Sequence, residues 1–441
     1  MKFLIAFVAL GLSFAAGGPA QASDRLNAHE RQAVIDELGK ALGETYVFPD
    51  KVPALVATLR AKAEKGGYEA LQSDRDFAAA VTKDLVDASG DMHFQLGADP
   101  RWVAEYRANE GKPGSVSAQE TEFETATNYG FRKIEMLDGN IGYIRLDHFA
   151  DPQAGYDTAT SAMRFVQHAD GLIFDLRYNN GGTLEMAQLL ASYLFASGQD
   201  RLLFQYYYNE RGARVERGQW VLAGLPGKRM PQVPVYVLTG SSSFSAAEWF
   251  AYALQKLGRA TLVGQTTAGG AHPVTRVPLD DRFFLQIPFG EIRDPVDGGD
   301  FEGIGVVPDR AVPSIDALDV AHREMLQGLA KTKAHADAAW FLPAVDVRLD
   351  HAAPDPAVLT RAQGRYEGRD LVLENGRLFY RWRGRFSLAL EPLGKDLFAA
   401  EGADDYRIRL VSKDGRVVAM ERVFRDGTVL RYARLDRTEG A

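Results

Sequence analysis

The hydrophobic positions between residues 23 and 105 recur at helical spacing. Val34, Leu38 and Leu42 follow one another at intervals of four residues, and other apolar residues later in this region have the same spacing. Apolar residues that repeat every three or four positions form one face of an α-helix. The pattern predicts a helical N-terminal domain over residues 23–105, with an irregular connection across the polar residues 99–125.

The next region, residues 106–345, alternates short apolar runs with helical patterns. The runs Ile141–Leu146, Gly171–Leu176 and Val235–Leu238 are almost continuously apolar. Such runs are typical of strands that crossover helices bury on both faces of a parallel sheet. We therefore predict an α/β core domain in this region.

From residue 346 onward, short runs of alternating apolar and polar residues are separated by turn sequences. Asn375-Gly376, Asp414-Gly415 and Asp426-Gly427 each stand between two such runs. Asn-Gly and Asp-Gly favour the tight turns of β-hairpins. Residues 346–441 are thus predicted to form a small antiparallel β-domain.

The composition excludes several classes of protein. The 441 residues carry a net charge of −8, and the sequence pI is about 5.6. This balance argues against nucleic-acid binding, which needs clustered Lys and Arg. The chain contains no cysteine, so disulfides, thiolate metal sites and a cysteine nucleophile are excluded. No H-E-x-x-H motif is present, and we expect neither a metal nor another cofactor.

The first 22 residues have the pattern of a secretory signal peptide. Lys2 precedes the apolar segment Phe3–Ala16, and Ala20 and Ala22 form an A-x-A sequence. No other stretch of the chain approaches the roughly 20 apolar residues needed to span a bilayer. The sequence therefore predicts an exported protein, periplasmic or secreted, without a membrane span.

Ser245 stands at the entrance of a predicted helix, directly after a strand and the turn segment Thr239–Ser243. A helix N-terminus offers unpaired backbone N–H groups and the positive end of the helix dipole, which suits a nucleophile whose intermediate carries an oxyanion. Ser245 and Glu248 also fit an S-x-x-E capping box, and the local sequence favours this structural role.

A second turn, Asn179-Asn180-Gly181-Gly182, follows the strand Gly171–Leu176. Glycines let backbone N–H groups approach a ligand closely, as in a phosphate site or an oxyanion hole, although a plain tight turn has the same sequence. Neither the G-x-G-x-x-G nor the Walker A spacing is present, so nucleotide binding is disfavoured.

Three segments together carry a family resemblance. They are DLRYNNGGT (175–183), SSSFSAAEWFAYALQKLGRATLVGQTTAGG (241–270) and EGIGVVPD (302–309). In this order and spacing they resemble the C-terminal processing peptidases, the tricorn core protease and the interphotoreceptor retinoid-binding protein modules, known together as the tail-specific protease family. The resemblance implies a crotonase-like spiral of βα units as the core. The helical region that ends in His93 resembles the non-PDZ, histidine-containing branch.

The resemblance implies that Ser245 is the nucleophile. The processing peptidases carry a lysine base where this chain has Gly270, so a Ser-Lys dyad is unavailable. The tricorn-like branch takes a histidine from the N-terminal part, and His93 occupies that position. His272, just after the Gly269-Gly270 pair, is the competing base, and His148 at the end of a strand is a weaker candidate.

The acidic residue of the family matches Glu302, which would orient the histidine. The residue before the histidine in the tricorn-like branch is a serine, whereas this chain has Met92. The oxyanion donors implied by the resemblance are the N–H of Ala246 and that of Gly181 or Gly182.

These residues predict an exported serine peptidase that forms an acyl-enzyme and acts on peptides or unfolded proteins. There is no recognisable PDZ segment between His93 and Gly139, so tail-specific processing of folded proteins is not implied. Two alternatives stay open: a non-catalytic module that binds an apolar ligand, as in the retinoid-binding relatives, and an esterase of small acyl substrates. The sequence carries no signal for the oligomeric state.

Overall fold

A computed structural model describes residues 26–71, 73–108, 118–197, 200–210, 213–294, 297–351, 355–382, 384, 386–394 and 396–435. The predicted signal peptide lies outside these residues. The chain forms two compact units, which are described separately. The first comprises Met1–Gly111, Asn209–Ala213 and Val274–Phe289, and the second comprises Lys112–Tyr208, Arg214–Pro273 and Gly290–Ala441.

The α-helices of the described residues are α1 (Ala28–Thr45), α2 (Val52–Glu64), α3 (Asp74–Ser89), α4 (Pro100–Ala108), α5 (Ala118–Ala126), α6 (Pro152–Phe165), α7 (Leu184–Ser192), α8 (Ala246–Lys256), α9 (Ala317–Ala330), α10 (Leu342–Asp350) and α11 (Pro356–Ala362). The strands are β1 (Gln95–Ala98), β2 (Phe131–Leu137), β3 (Ile141–Leu146), β4 (Gly171–Asp175), β5 (Leu202–Glu210), β6 (Ala213–Trp220), β7 (Val235–Thr239), β8 (Thr261–Gly264), β9 (Val274–Pro278), β10 (Phe283–Pro288), β11 (Gly290–Arg293), β12 (Arg310–Ala311), β13 (Gly364–Tyr366), β14 (Arg369–Glu374), β15 (Arg377–Trp382), β16 (Phe386–Pro392), β17 (Leu397–Ala400), β18 (Ala403–Lys413), β19 (Arg416–Phe424) and β20 (Val429–Ala433). No helix of the described residues is long and apolar enough to cross a membrane.

The first unit contains the predicted helices and also a sheet that the sequence did not indicate. Helices α1 to α3 bury their apolar faces in one cluster. Strands β1, β10 and β9 form an antiparallel sheet in that order, and Phe283, Leu285 and Ile287 of β10 face the same cluster. The helical prediction is confirmed, but the unit is not purely helical.

The predicted irregular connection at 99–125 is wrong, because it contains α4 and most of α5. Asp99 supplies the start signal for α4: its carboxylate accepts hydrogen bonds from the N–H groups of Arg101 (3.1 Å) and Trp102 (3.0 Å). A capping aspartate followed by proline at the first helical position is a recognisable N-terminus, and the polar composition of the segment obscured it.

The second unit is built on a six-stranded sheet with the order β12-β8-β7-β4-β3-β2. All neighbouring pairs are parallel except β2 with β3. Every residue of β4 is buried, as its continuous apolar run predicted. The α/β prediction is therefore confirmed. Because β4 and β7 are parallel neighbours, the turns that follow them emerge at the same edge of the sheet.

The C-terminal strands β13 to β20 form an antiparallel sheet in which each strand pairs with the next along the chain. The first and last strands also meet: Tyr366 and Arg434 form a bridge, and the Leu435 N–H donates to the Arg365 carbonyl (2.8 Å). The predicted β-domain is thus an eight-stranded sheet closed into a barrel. Asn375 and Asp414 have φ values of 50° and 51°, as the tight hairpin turns require.

Candidate active site

Ser245 lies in the turn between β7 and α8 and has an unusual backbone conformation. Its φ is 54° and its ψ is −119°. A residue other than glycine is rarely found at positive φ, because such strain costs about 1–3 kcal/mol and persists only where the surroundings impose it. A serine on a sharp, strained strand-to-helix turn presents its hydroxyl away from the sheet, as in the nucleophile elbow of hydrolases. The conformation is more demanding than a helix cap needs.

Hydrogen bonds fix the serine turn to the glycine turn that follows β4. The Ser243 hydroxyl donates to the Leu176 carbonyl (2.6 Å) and accepts from the Gly240 N–H (2.9 Å). The Phe244 N–H donates to the Asn179 carbonyl (3.0 Å). These bonds over-determine the backbone around Ser245, which is the condition under which strain persists.

The fully buried Glu248 carboxylate connects Ser245 with the loop after β8. It accepts hydrogen bonds from the N–H groups of Ser245 (2.8 Å), Gly269 (2.6 Å) and Gly270 (2.8 Å) and from the Thr267 hydroxyl (2.5 Å). Burial raises the pKa of Glu248, while these four donors act in the opposite direction. The bond from Ser245 N–H to Glu248 belongs to the predicted capping box. The capping and catalytic roles are therefore compatible.

Glu302 lies beside His272 in the same unit. Its Oε2 accepts from the Ala271 N–H (2.5 Å) and is 3.7 Å from His272 Nδ1. The Gly303 N–H donates to the Gly269 carbonyl (2.9 Å), so the Glu302 loop is attached to the loop that Glu248 holds. His272 is only 6% exposed. The second unit thus brings a buried imidazole and a carboxylate to the loop that is hydrogen-bonded to Ser245 through Glu248.

The glycine turn runs directly against the Ser245–Ala246 peptide. Gly181 and Gly182 have φ values of 103° and 128°. A Cβ atom at Gly181 would lie 3.3 Å from the Ala246 nitrogen. The Gly181 N–H donates to Asn179 Oδ1 (2.9 Å), whereas in the described part of the chain the N–H groups of Gly182 and Ala246 have no hydrogen-bond acceptor.

Replacing Gly181 with alanine should lower kcat/KM by about a hundredfold, because small displacements of a catalytic group are costly. The new Cβ would meet Ser245 Cβ at 2.8 Å and the Phe244 carbonyl oxygen at 3.0 Å, at a φ that L-residues avoid. Gly258→Ala is the matched control, because Gly258 also has positive φ (62°) and nothing lies within 4 Å of its Cβ position. Steady-state peptide hydrolysis measures the effect. Equal kcat/KM for Gly181→Ala and Gly258→Ala would contradict it.

His93 belongs to the first unit, where it is buried after α3. Its N–H donates to Asp91 Oδ1 (3.0 Å), its carbonyl accepts from Gln286 Nε2 (2.9 Å), and its Nδ1 is 3.7 Å from Asp91 Oδ1. His148, the weaker candidate base, has Nε2 at 2.8 Å from Glu124 Oε2. The assignment of His93 as the base stays a prediction.

Sequence reasoning missed two polar residues that shape this site. Thr267 is buried, donates to Glu248 and accepts from the Val306 N–H (2.6 Å), so it joins the loops of Glu248 and Glu302. Asn179 uses its side-chain oxygen to hold the Gly181 N–H and its amide to reach the Leu146 carbonyl (2.8 Å). The turn-forming sequence indicated Asn179 only as a turn residue, and nothing local distinguished Thr267 from its neighbours.

A strained serine at a helix entrance, an adjoining glycine turn and a histidine beside a carboxylate define a hydrolase-like site on an α/β sheet. Residues 140–312 match the family model of peptidase family S41, and residues 25–129 match that of the N-terminal domain of peptidase S41 in eukaryotic IRBP. The chain belongs to the family of the C-terminal processing proteases, peptidase family S41.

Individual relatives match over part of their length. The chain is 29% identical to a carboxy-terminal-processing protease of Bartonella bacilliformis over 40% of this chain and 39% of that protein. It is 28% identical to a carboxyl-terminal-processing protease of a Picosynechococcus species over 43% of each. The chain therefore spans about two fifths of these relatives. A solved photosystem II D1 C-terminal processing protease has a TM-score of 0.42 and 15% identity, covering 69% of this chain and 98% of that one.

Proposed function

We propose that this protein is a serine peptidase that hydrolyses peptide bonds through an acyl-enzyme on Ser245. The observation that carries the proposal is the strained backbone of Ser245, at φ 54° and ψ −119°, against which the glycine turn packs at Gly181. Family membership supports the reaction class. The matching relatives are named as processing proteases, and their activity is carried to this chain only as part of the proposal.

The proposed reaction has two steps. Ser245 Oγ attacks the peptide carbonyl while a histidine takes its proton, and the oxyanion accepts hydrogen bonds from the Ala246 and Gly182 N–H groups. The histidine then gives the proton to the leaving amine, which departs and leaves the acyl group on Oγ. A water molecule, deprotonated by the same histidine, attacks the ester, and the carboxylic acid leaves as Oγ recovers its proton. No cofactor takes part.

We retain His93 as the proposed base and His272 as its alternative. His93 matches the histidine of the family branch that lacks the lysine, and this chain has Gly270 at the lysine position. His272 is supported by its carboxylate neighbour Glu302, at 3.7 Å. Because Glu302 also accepts the Ala271 N–H, its proposed role is to hold this loop and to favour a protonated imidazole near the serine.

The substrates we propose are peptides or partly unfolded proteins, encountered after export by the predicted signal peptide. The core, residues 106–345, is proposed to be the crotonase-like spiral of the family, with the N-terminal domain at 23–105 and the β-domain at 346–441. The preference for unfolded substrates rests on the missing PDZ segment. Equal cleavage rates for a folded protein and its unfolded form would contradict that preference.

The proposal is tested by the intact mass of the protein after incubation with a fluorophosphonate. We expect a single covalent adduct on the wild type and none on Ser245→Ala, because only an activated serine hydroxyl reacts at a useful rate. Ser242→Ala is the matched control, since Ser242 is an exposed serine of the same turn. It should label like the wild type. A wild type that stays unlabelled while a known serine peptidase is labelled would overturn the proposal.

A further inference from the structure

The C-terminal barrel lies beyond both matched family regions, which end at residue 312. A closed barrel of eight strands has an interior that side chains can fill or that can hold one small ligand. Buried apolar side chains occupy much of this interior, namely Leu371, Leu378, Leu390, Phe398, Ile408, Leu410 and Met420. A ligand could therefore bind only in the part of the barrel that these apolar side chains do not fill, where polar and aromatic groups lie.

One end of the barrel, which we call the mouth, collects arginines and aromatic rings. Arg369 and Phe386 begin β14 and β16, while Trp382 and Phe424 end β15 and β19. Because neighbouring strands run antiparallel, the start of one and the end of the next lie at the same end of the barrel. Register confirms this, since Trp382 pairs with both Arg369 and Phe386.

Arg369 is held among aromatic side chains at the mouth. Its guanidinium carbon is 5.1 Å from the centre of the Trp382 ring and 4.8 Å from that of Tyr432. Its Nε donates to the Tyr380 hydroxyl (2.7 Å). These contacts fix the direction of the guanidinium group but do not neutralise its charge.

Arg422 approaches the same region from β19. Its guanidinium carbon is 3.9 Å from the centre of the Tyr406 ring and 4.8 Å from that of Phe424. Its Nε is buried and has no hydrogen-bond partner among the described residues. An arginine N–H that is removed from water without an acceptor is unfavourable, and a bound anion would relieve this cost.

The two mouth arginines differ from three other arginines of the barrel, which are ion-paired. Arg377, Arg381 and Arg409 each form an ion pair with a glutamate. In the part of the barrel that the structure describes, no carboxylate lies within ion-pair distance of Arg369 or Arg422. Neither mouth arginine is therefore ion-paired with a carboxylate of these residues.

Strand β20 connects the two arginines. Arg369 contacts the Tyr432 ring of β20, and Arg422 pairs with Leu430, two residues before Tyr432 on the same strand. Burial raises the pKa of Tyr380 and of Tyr406, and the positive charges of Arg369 and Arg422 act in the opposite direction on each of them. Both guanidinium groups therefore approach the same stretch of β20.

We propose that the barrel mouth binds a carboxylate attached to an aromatic or apolar group. Arg369 and Arg422 would take the carboxylate, because the guanidinium fork matches its two oxygens. The attached group would pack on Trp382 and Phe386, whose ring centres are 5.6 Å apart, with Phe386 40% exposed. The carboxylate has two sources, a free small acid or the C-terminal residue of a polypeptide. The inference does not depend on Ser245.

The test is isothermal titration of the full chain with 3-phenylpropionate and, as its uncharged match, 3-phenylpropionamide. We expect saturable binding of the acid, and binding at least about tenfold weaker for the amide and for Arg422→Gln and Arg369→Gln with the acid. Arg377→Gln is the matched control, because it removes an arginine that is paired with Glu391. It should bind the acid like the wild type.

Two further comparisons complete the experiment. A hexapeptide that ends in phenylalanine and binds more tightly than 3-phenylpropionate would assign the carboxylate to a polypeptide C-terminus, and the reverse order would assign it to a free acid. The comparison of acid with amide on the wild type stands even if an arginine variant fails to fold. No saturable binding of either acid, or equal binding of acid and amide, would overturn the inference.

Discussion

Replacing Ser245 with alanine is expected to lower kcat for peptide hydrolysis by at least about 10³-fold, to the residual rate that binding and the oxyanion donors can support. Alanine keeps the four hydrogen bonds that the Glu248 carboxylate accepts, because their donors are backbone N–H groups and the Thr267 hydroxyl. It removes the hydroxyl that forms the acyl-enzyme and, with it, the capping-box contact of the Ser245 side chain with the Glu248 N–H. KM should therefore change little while kcat falls.

The measurement is steady-state hydrolysis of an unfolded protein or a peptide library, with products identified by mass spectrometry. Ser242→Ala is the control and should keep the wild-type rate, since its hydroxyl is exposed in the same turn. Thermal unfolding should be nearly the same for both variants. Hydrolysis that persists in Ser245→Ala would remove this residue from the mechanism and would point to a contaminating peptidase or another nucleophile.

The local patterns predicted the elements that carry the site. The apolar runs of β4 and β7 and the helical pattern after Ser245 each fall within a residue or two of the structure. These elements depend on periodicity and on capping signals that lie within a few residues of one another. The segments shared with the family added that the glycine turn and the serine turn belong to one site. The parallel pairing of β4 with β7 accounts for this, because it places the two turns at the same edge of the sheet.

The features that the sequence did not reveal depend on contacts between distant residues. Strand β1 pairs with β10, so Gln95 meets Gln286, and no local signal encodes that partnership. Closure of the barrel needs Tyr366 to meet Arg434. The hairpin turns predicted antiparallel strands but could not show that the first and last strands pair.

The motifs named the candidate site residues, which stay a prediction, but did not indicate the hydrogen bonds around them. Ser245, Glu302 and the two glycines were identified from motifs, whereas the strained φ of Ser245 and the four donors to Glu248 became visible only in three dimensions. Of the two glycines, Gly181 donates its N–H to Asn179 Oδ1 (2.9 Å). A short motif cannot show such a bond, because it depends on the three-dimensional course of the turn.

The base is decided by comparing His93→Ala with His272→Ala. If His93 accepts the serine proton, its removal should lower kcat/KM by about 10²–10⁴-fold, the usual contribution of general base catalysis. Removing His272 should then cost about tenfold or less, because the Ala271 N–H still holds Glu302 in place. Steady-state peptide hydrolysis by the two variants and the wild type measures the difference.

The base is assigned by which of the two variants loses more kcat/KM, and not by either loss alone, because both histidines are buried and either change could disturb folding. His93→Gln and His272→Gln keep most of the side-chain volume, and unfolding temperatures close to the wild type would exclude a loss of folded protein. A large loss of kcat/KM in His272→Gln with a nearly normal value in His93→Gln would transfer the role of base to His272. Glu302, at 3.7 Å from His272 Nδ1, would then be the carboxylate that orients it.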